Sequence, residues 1–127
     1  MDKKIISNEK IPAVIGPYSP AVKVGKLIFV SGQLPIEPES GNLVKGDIHK
    51  HTRQILENLT TLLELYSLGL ENVVKTTVFL KNMNDFSEFN KAYVQYFTEN
   101  ISARSCVEVV RLPKDAEIEI EVMAICD

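Results

Sequence analysis

Among its 127 residues the chain has no tryptophan, two histidines and two cysteines. His49 and His51 stand two apart in a helical pattern, so they cannot share a helix face, which argues against a histidine pair on a metal. Cys106 and Cys126 lack a CxxC spacing, and reduced thiols in a cytoplasmic protein are the simplest expectation. Long apolar runs are missing. The opening MDKKIISNEKIP is no signal peptide, and no stretch reaches the length of a membrane span. Positive charge is not in excess either: 14 Lys and Arg face 17 Asp and Glu, for a net charge of -3. With a pI near 5.4, nothing electrostatic suggests a nucleic-acid or anionic-membrane partner. HExxH, a glycine-rich phosphate loop and GxSxG are absent. The Asn58-Leu-Thr sequon lies in a helical pattern without a secretion signal and is discounted.

What is present fits one domain over residues 1–127, long enough for a single core and ordinary in its 45% hydrophobic and 24% charged residues. Val14–Pro20 combines Gly16, Pro17 and Pro20 in a rigid loop. Two short strands follow, Ala21–Val24 and Leu27–Ser31, hinged at Gly25-Lys26. Apolar residues from Ile48 to Tyr66 recur at helical spacing, with Asp47 as N-cap and Gly69 as exit. Val73–Lys81 is a β-branched strand. A second helix, capped by Asn84 or Asp85, carries Phe86, Phe89, Tyr93 and Phe97 on one stripe. Strands near Ser105–Arg111 and Glu117–Ile125 close the chain. The order predicts an α+β fold, a mixed sheet with both helices on one face.

Alternation assigns the faces. Ile118, Ile120, Val122 and Ala124 should lie under the helices, with Glu117, Glu119 and Glu121 opposite. The same count puts Cys106, Val110, Met123, Ile125 and Phe79 on the second face, too apolar for solvent. Two helices cannot cover both faces, so other subunits are expected to cover the second.

The closing stretch ARSCVEVVRLPKDAEIEIEV poses a choice. Arg104 beside glutamates on a sheet face is by residue type a solvated ion pair, and Cys106 alone is a small hydrophobe. If the last two strands formed a simple hairpin, Arg104 and Glu119 would lie roughly 17 Å apart along the ladder, too far to share a small ligand.

The blocks IGPYSPAV, FVSGQLP, VVKTTVFLKNMNDFSEFN and ARSCVEVVRLPKD with IEIE, in this order, resemble the RidA (YjgF) family of reactive-intermediate deaminases over nearly the whole chain. The resemblance implies a chorismate-mutase-like fold with a six-stranded sheet, closing as a homotrimeric barrel. It also implies that the last strand inserts into the middle of the sheet and that ligand sites lie between subunits. Arg104 matches the arginine that grips a substrate carboxylate, and Glu119 the glutamate that handles the attacking water. Cys106, Ser31 and Gly32 match pocket-lining residues, Tyr18 a tyrosine at the mouth, and Asn90 a polar residue at the rim. The implied substrates are 2-imino acids formed from 2-aminoacrylate and 2-aminocrotonate, hydrolysed to 2-keto acids and ammonia. No cofactor, metal, membrane or nucleic acid is implied, because an imine is already electrophilic. One departure stands out: members often have a longer segment before the arginine, with proline ahead of Ala-Arg, where this chain has a short segment and Ser102. A second expectation of another class is a non-catalytic trimer that binds small carboxylates such as 2-keto acids, in which Glu119 would have no task.

Overall fold

The computed structural model describes residues 2–127. Six strands form one mixed sheet: β1 (Lys3–Ile6), β2 (Ala21–Val24), β3 (Leu27–Gln33), β4 (Val73–Leu80), β5 (Ala103–Glu108) and β6 (Ile118–Ile125). Two helices, α1 (Ile48–Glu64) and α2 (Phe86–Tyr93), cover one face. The spatial order is β1-β2-β3-β6-β4-β5. The last strand therefore lies inside the sheet, antiparallel to both β3 and β4, while β5 runs parallel to β4 at the edge. The hairpin between the last two strands does not form, as the resemblance implies.

The core follows from the two periodicities. Ile118, Ile120, Val122 and Ala124 of β6, with Val78 and Leu80 of β4, meet Ile55, Leu56, Leu59, Leu62 and Leu63 of α1 and Phe89, Tyr93 and Phe97 from α2 onward. Asp47 caps α1, its side chain accepting from the Lys50 N–H at 3.1 Å.

One helix end differs from the sequence reading, and a second gains a preceding turn. The exit of α1 is not Gly69 but Ser67, which takes a φ of 61°. Ser67 and Leu68 donate to the carbonyls of Glu64 and Leu63, so the terminal carbonyls are satisfied before the glycine is reached. Asp85, one of the two expected residues, is the N-cap of α2, but its side chain makes no capping hydrogen bond. Asn82 caps the 3₁₀ turn over Met83–Asp85 that precedes the helix, accepting from the Asn84 N–H. Strand β1 completes the six strands that the resemblance implies but leaves no mark in the residue pattern, since its four largely exposed residues on an edge show no burial alternation.

The second face is better covered at one end than its sequence suggests. Phe79 packs on a small cluster of Leu34, Ile36, Leu112 and Ala116, because the loops after β3 and β5 fold over it. Elsewhere that face leaves Leu27, Phe29, Val107 and Ile125 exposed. Among the described residues no helix is long and apolar enough to cross a membrane.

Candidate functional site

The parallel register of β4 and β5 pairs Thr76 with Arg104 and Val78 with Cys106. Residues in register share a face, so Arg104 and Cys106 point toward the helices with Thr76 and Val78. This corrects the alternation reading, which put Cys106 on the second face. Ser105 and Val107 take that place, and Ser105 accepts a hydrogen bond from Lys75 Nζ at 2.8 Å there. A half-exposed edge strand gives no burial contrast from which its phase could be read.

Arg104 is held by groups the sequence reading placed only in the core. Its guanidinium carbon lies 5.5, 5.3 and 5.0 Å from the ring centroids of Phe86, Phe89 and Tyr93. Its Nη1 donates to Asn90 Oδ1 at 2.8 Å. The Tyr93 and Thr76 hydroxyls meet at 2.9 Å in the interior, which fixes that ring from behind. The aromatic stripe of α2 thus serves two surfaces, core and arginine. Asn90 accepts from Arg104 and so helps to hold its guanidinium in place. No carboxylate is within ion-pair distance of Arg104 among the described residues. A half-buried guanidinium with one N–H engaged and the rest of its planar fork free is ready for an oxyanion. Burial pushes the Cys106 thiol up, with Arg104 opposing, so Cys106 stays protonated and is a poor nucleophile.

Glu119 stands on the other face, in register with Phe79. Burial raises its pKa above the ordinary glutamate value, and neighbouring Glu121 adds to the rise. Gly32 makes room for it: a Cβ there would meet Glu119 Cδ at 2.7 Å. Ser31 donates to the Ser19 carbonyl at 2.6 Å and its N–H to the Pro20 carbonyl at 2.9 Å, which ties the Tyr18 loop to β3. Tyr18 itself is exposed beside Gly16.

The predicted residues therefore form two groups, Arg104 with Cys106 and Asn90, and Glu119 with Gly32, Ser31 and the Tyr18 loop. Three residues along at about 3.3 Å and two strands across at about 4.8 Å separate the Cα atoms of Arg104 and Glu119 by roughly 14 Å, on opposite faces. Within one copy they cannot touch the same small molecule. Among the described residues no group of three or more His, Cys, Asp and Glu side chains is placed to hold a metal ion.

Sheet order and helix layer define a chorismate-mutase-like α+β domain. The profile of a family described as Endoribonuclease L-PSP matches residues 8–126. A RutC family protein of Pyrococcus abyssi is 52% identical over 124 residues, covering 98% of each chain. A 2-iminobutanoate/2-iminopropanoate deaminase of Salmonella typhimurium is 46% identical over 125 residues, covering 96% of this chain and 97% of its own. The crystal structure of the YjgF gene product of Escherichia coli matches with a TM-score of 0.91 at 44% identity, covering 98% and 99% of the two chains. The chain belongs to this family, which is the RidA (YjgF) family of the sequence resemblance.

Proposed function

We propose that the protein hydrolyses 2-imino acids to 2-keto acids and ammonia, in a site completed between copies of the chain. The observation that carries this is Arg104, half-buried in an aromatic cradle without an anionic partner. The deaminase relative from Salmonella typhimurium supports the substrate class. In this reading Arg104 binds the carboxylate and sets the imine carbon against Glu119 of a neighbouring copy. The exposed Leu27, Phe29, Val107 and Ile125 on the second face, and Val110 at 98% exposure, favour assembly. Three copies is the number the family resemblance implies.

The chemistry then needs few parts. Water attacks C2 while Glu119 accepts its proton. Starting from the protonated imine, this gives a neutral carbinolamine. Glu119 passes its proton to the nitrogen, then takes the hydroxyl proton as the C–N bond breaks, so that the C=O forms and ammonia leaves a keto acid. Glu119 suits the task because a raised pKa brings a carboxylate closer to working pH, where proton acceptance is more effective. The family description names RNA cleavage, but a net charge of -3 and an apolar setting for Arg104 favour a small carboxylate.

A coupled assay tests the proposal: a PLP-dependent threonine or serine dehydratase supplies the imine, and keto acid is followed with and without this protein. Keto acid formed no faster than in buffer would sink it. Two further outcomes belong to the same assay. Cys106→Ala should retain most of the activity, since a protonated thiol is a wall and not a nucleophile; a thiolate mechanism predicts loss as deep as that of Arg104→Ala. Gly32→Ala should fold normally, its backbone being in no strained region, yet lower kcat on the order of tenfold or more by pushing the Glu119 carboxylate aside. An unchanged kcat would show that the carboxylate position does not matter.

A further inference from the structure

The hydrolysis reading leaves unused a cavity of about 370 Å³ beside Arg104. Tyr93, Val94, Phe97 and Ile101 make its walls largely apolar, and Arg104 is the one charged residue in its lining, with Asn90 at its side. That size falls within the roughly 300–1,000 Å³ of small-molecule sites. Val94 and Ile101 remain 57% and 59% exposed, unusually open for apolar residues around a hollow. The hydroxyl of Ser102, also in the lining, is buried without a partner.

The connection from α2 into β5 explains the opening. Phe97 to Ala103 is a short segment that turns sharply at Asn100, whose φ is 49°. The chemistry that fits the hollow is a carboxylate joined to a nonpolar group: the guanidinium takes the first and the apolar wall the second.

We propose that this cavity is the side-chain subsite of the hydrolytic site, and that the protein prefers 2-imino acids with branched aliphatic or aromatic side chains. The inference rests on the hydrolysis reading, which supplies the carboxylate on Arg104. C2 of a 2-imino acid carries three groups. With the carboxylate on Arg104 and the imine turned to the neighbouring copy, the side chain enters the cavity. Ile101 and Val94 are then specificity residues. Each buried methylene is worth about a fourfold gain, so the leucine-derived imine, three carbons larger than the alanine-derived one, should be preferred by roughly 60-fold in kcat/KM.

The experiment generates both imines with a general L-amino-acid oxidase and catalase, and measures their loss by semicarbazide trapping. Wild-type protein should favour the leucine-derived imine at least tenfold, and Ile101→Trp, which fills the hollow, should cut that ratio at least tenfold. Equal wild-type kcat/KM for the two imines, or a ratio that Ile101→Trp leaves unchanged, overturns the subsite while the hydrolysis reading stands. Dissociation of the assembly by Ile101→Trp, read by sedimentation, would make the hollow a seat between copies and overturns it too. If neither imine is accelerated, hydrolysis itself fails, and calorimetry decides the subsite. Tighter binding of 4-methyl-2-oxopentanoate than of pyruvate supports it, and equal binding removes it.

Discussion

Arg104→Ala should reduce kcat/KM for 2-imino acids on the order of 10²- to 10⁴-fold, leaving little above the rate in buffer. Two charge-assisted hydrogen bonds to a carboxylate contribute about 1.5–3 kcal/mol each, and about 1.4 kcal/mol is a factor of ten. The substitution also removes the group around which Phe86, Phe89, Tyr93 and Asn90 are arranged. Arg104→Lys separates the causes. It keeps the positive charge but loses the planar fork and stacks less well on three rings, so it should recover only part of the rate. Full recovery with lysine would mean that charge alone is needed and the cradle is incidental. Retention of most activity in Arg104→Ala would remove the carboxylate anchor from the mechanism.

The sheet, its two helices and its core were legible because β6 alternates cleanly and the apolar stripe of α1 holds its spacing for four turns. The insertion of β6 between β3 and β4 came from resemblance and not from pattern, since strand order leaves no local trace in composition. Strand β5 shows the limit most clearly. Four of its six residues are exposed on an edge, so hydrophobicity could not say whether Arg104 and Cys106 faced the helices; only pairing with Thr76 and Val78 decides it. The cradle was hidden for a related reason. Phe86, Phe89 and Tyr93 at helical spacing read as core, and nothing in a single sequence tells a ring that packs on leucine from one that also holds an arginine. The cavity beside Val94 and Ile101 was marked only by the short segment before Ala103, a departure whose consequence depends on what lies beneath it.

Glu119→Gln should lower kcat by about 10²–10⁴-fold, the usual contribution of a positioned general base, while making the protein more stable at neutral pH. The two effects have one cause. Burial raises the pKa of Glu119, so the folded protein holds that proton more tightly than the unfolded chain does. Stability therefore falls as pH rises from the unfolded value, about 4.3, through the raised folded value, and stays lower above it. Glutamine removes the ionisation at nearly constant shape. Its advantage in thermal melting should grow as pH rises above about 4.3 and vanish below about pH 4, where Glu119 is protonated in both states. The wild-type activity should show the complementary limb, falling with acid through a pKa above the ordinary glutamate value, and Glu119→Gln should abolish that limb. Undiminished hydrolysis in the variant would remove Glu119 as the base, whereas no hydrolysis by either form, with 2-keto acid binding that the variant keeps, would point to a binding module in which this carboxylate does no chemistry. Lost activity with a lower melting temperature at neutral pH would instead mean that ionised Glu119 has a favourable partner in the assembly, and would remove it as an unpaired base.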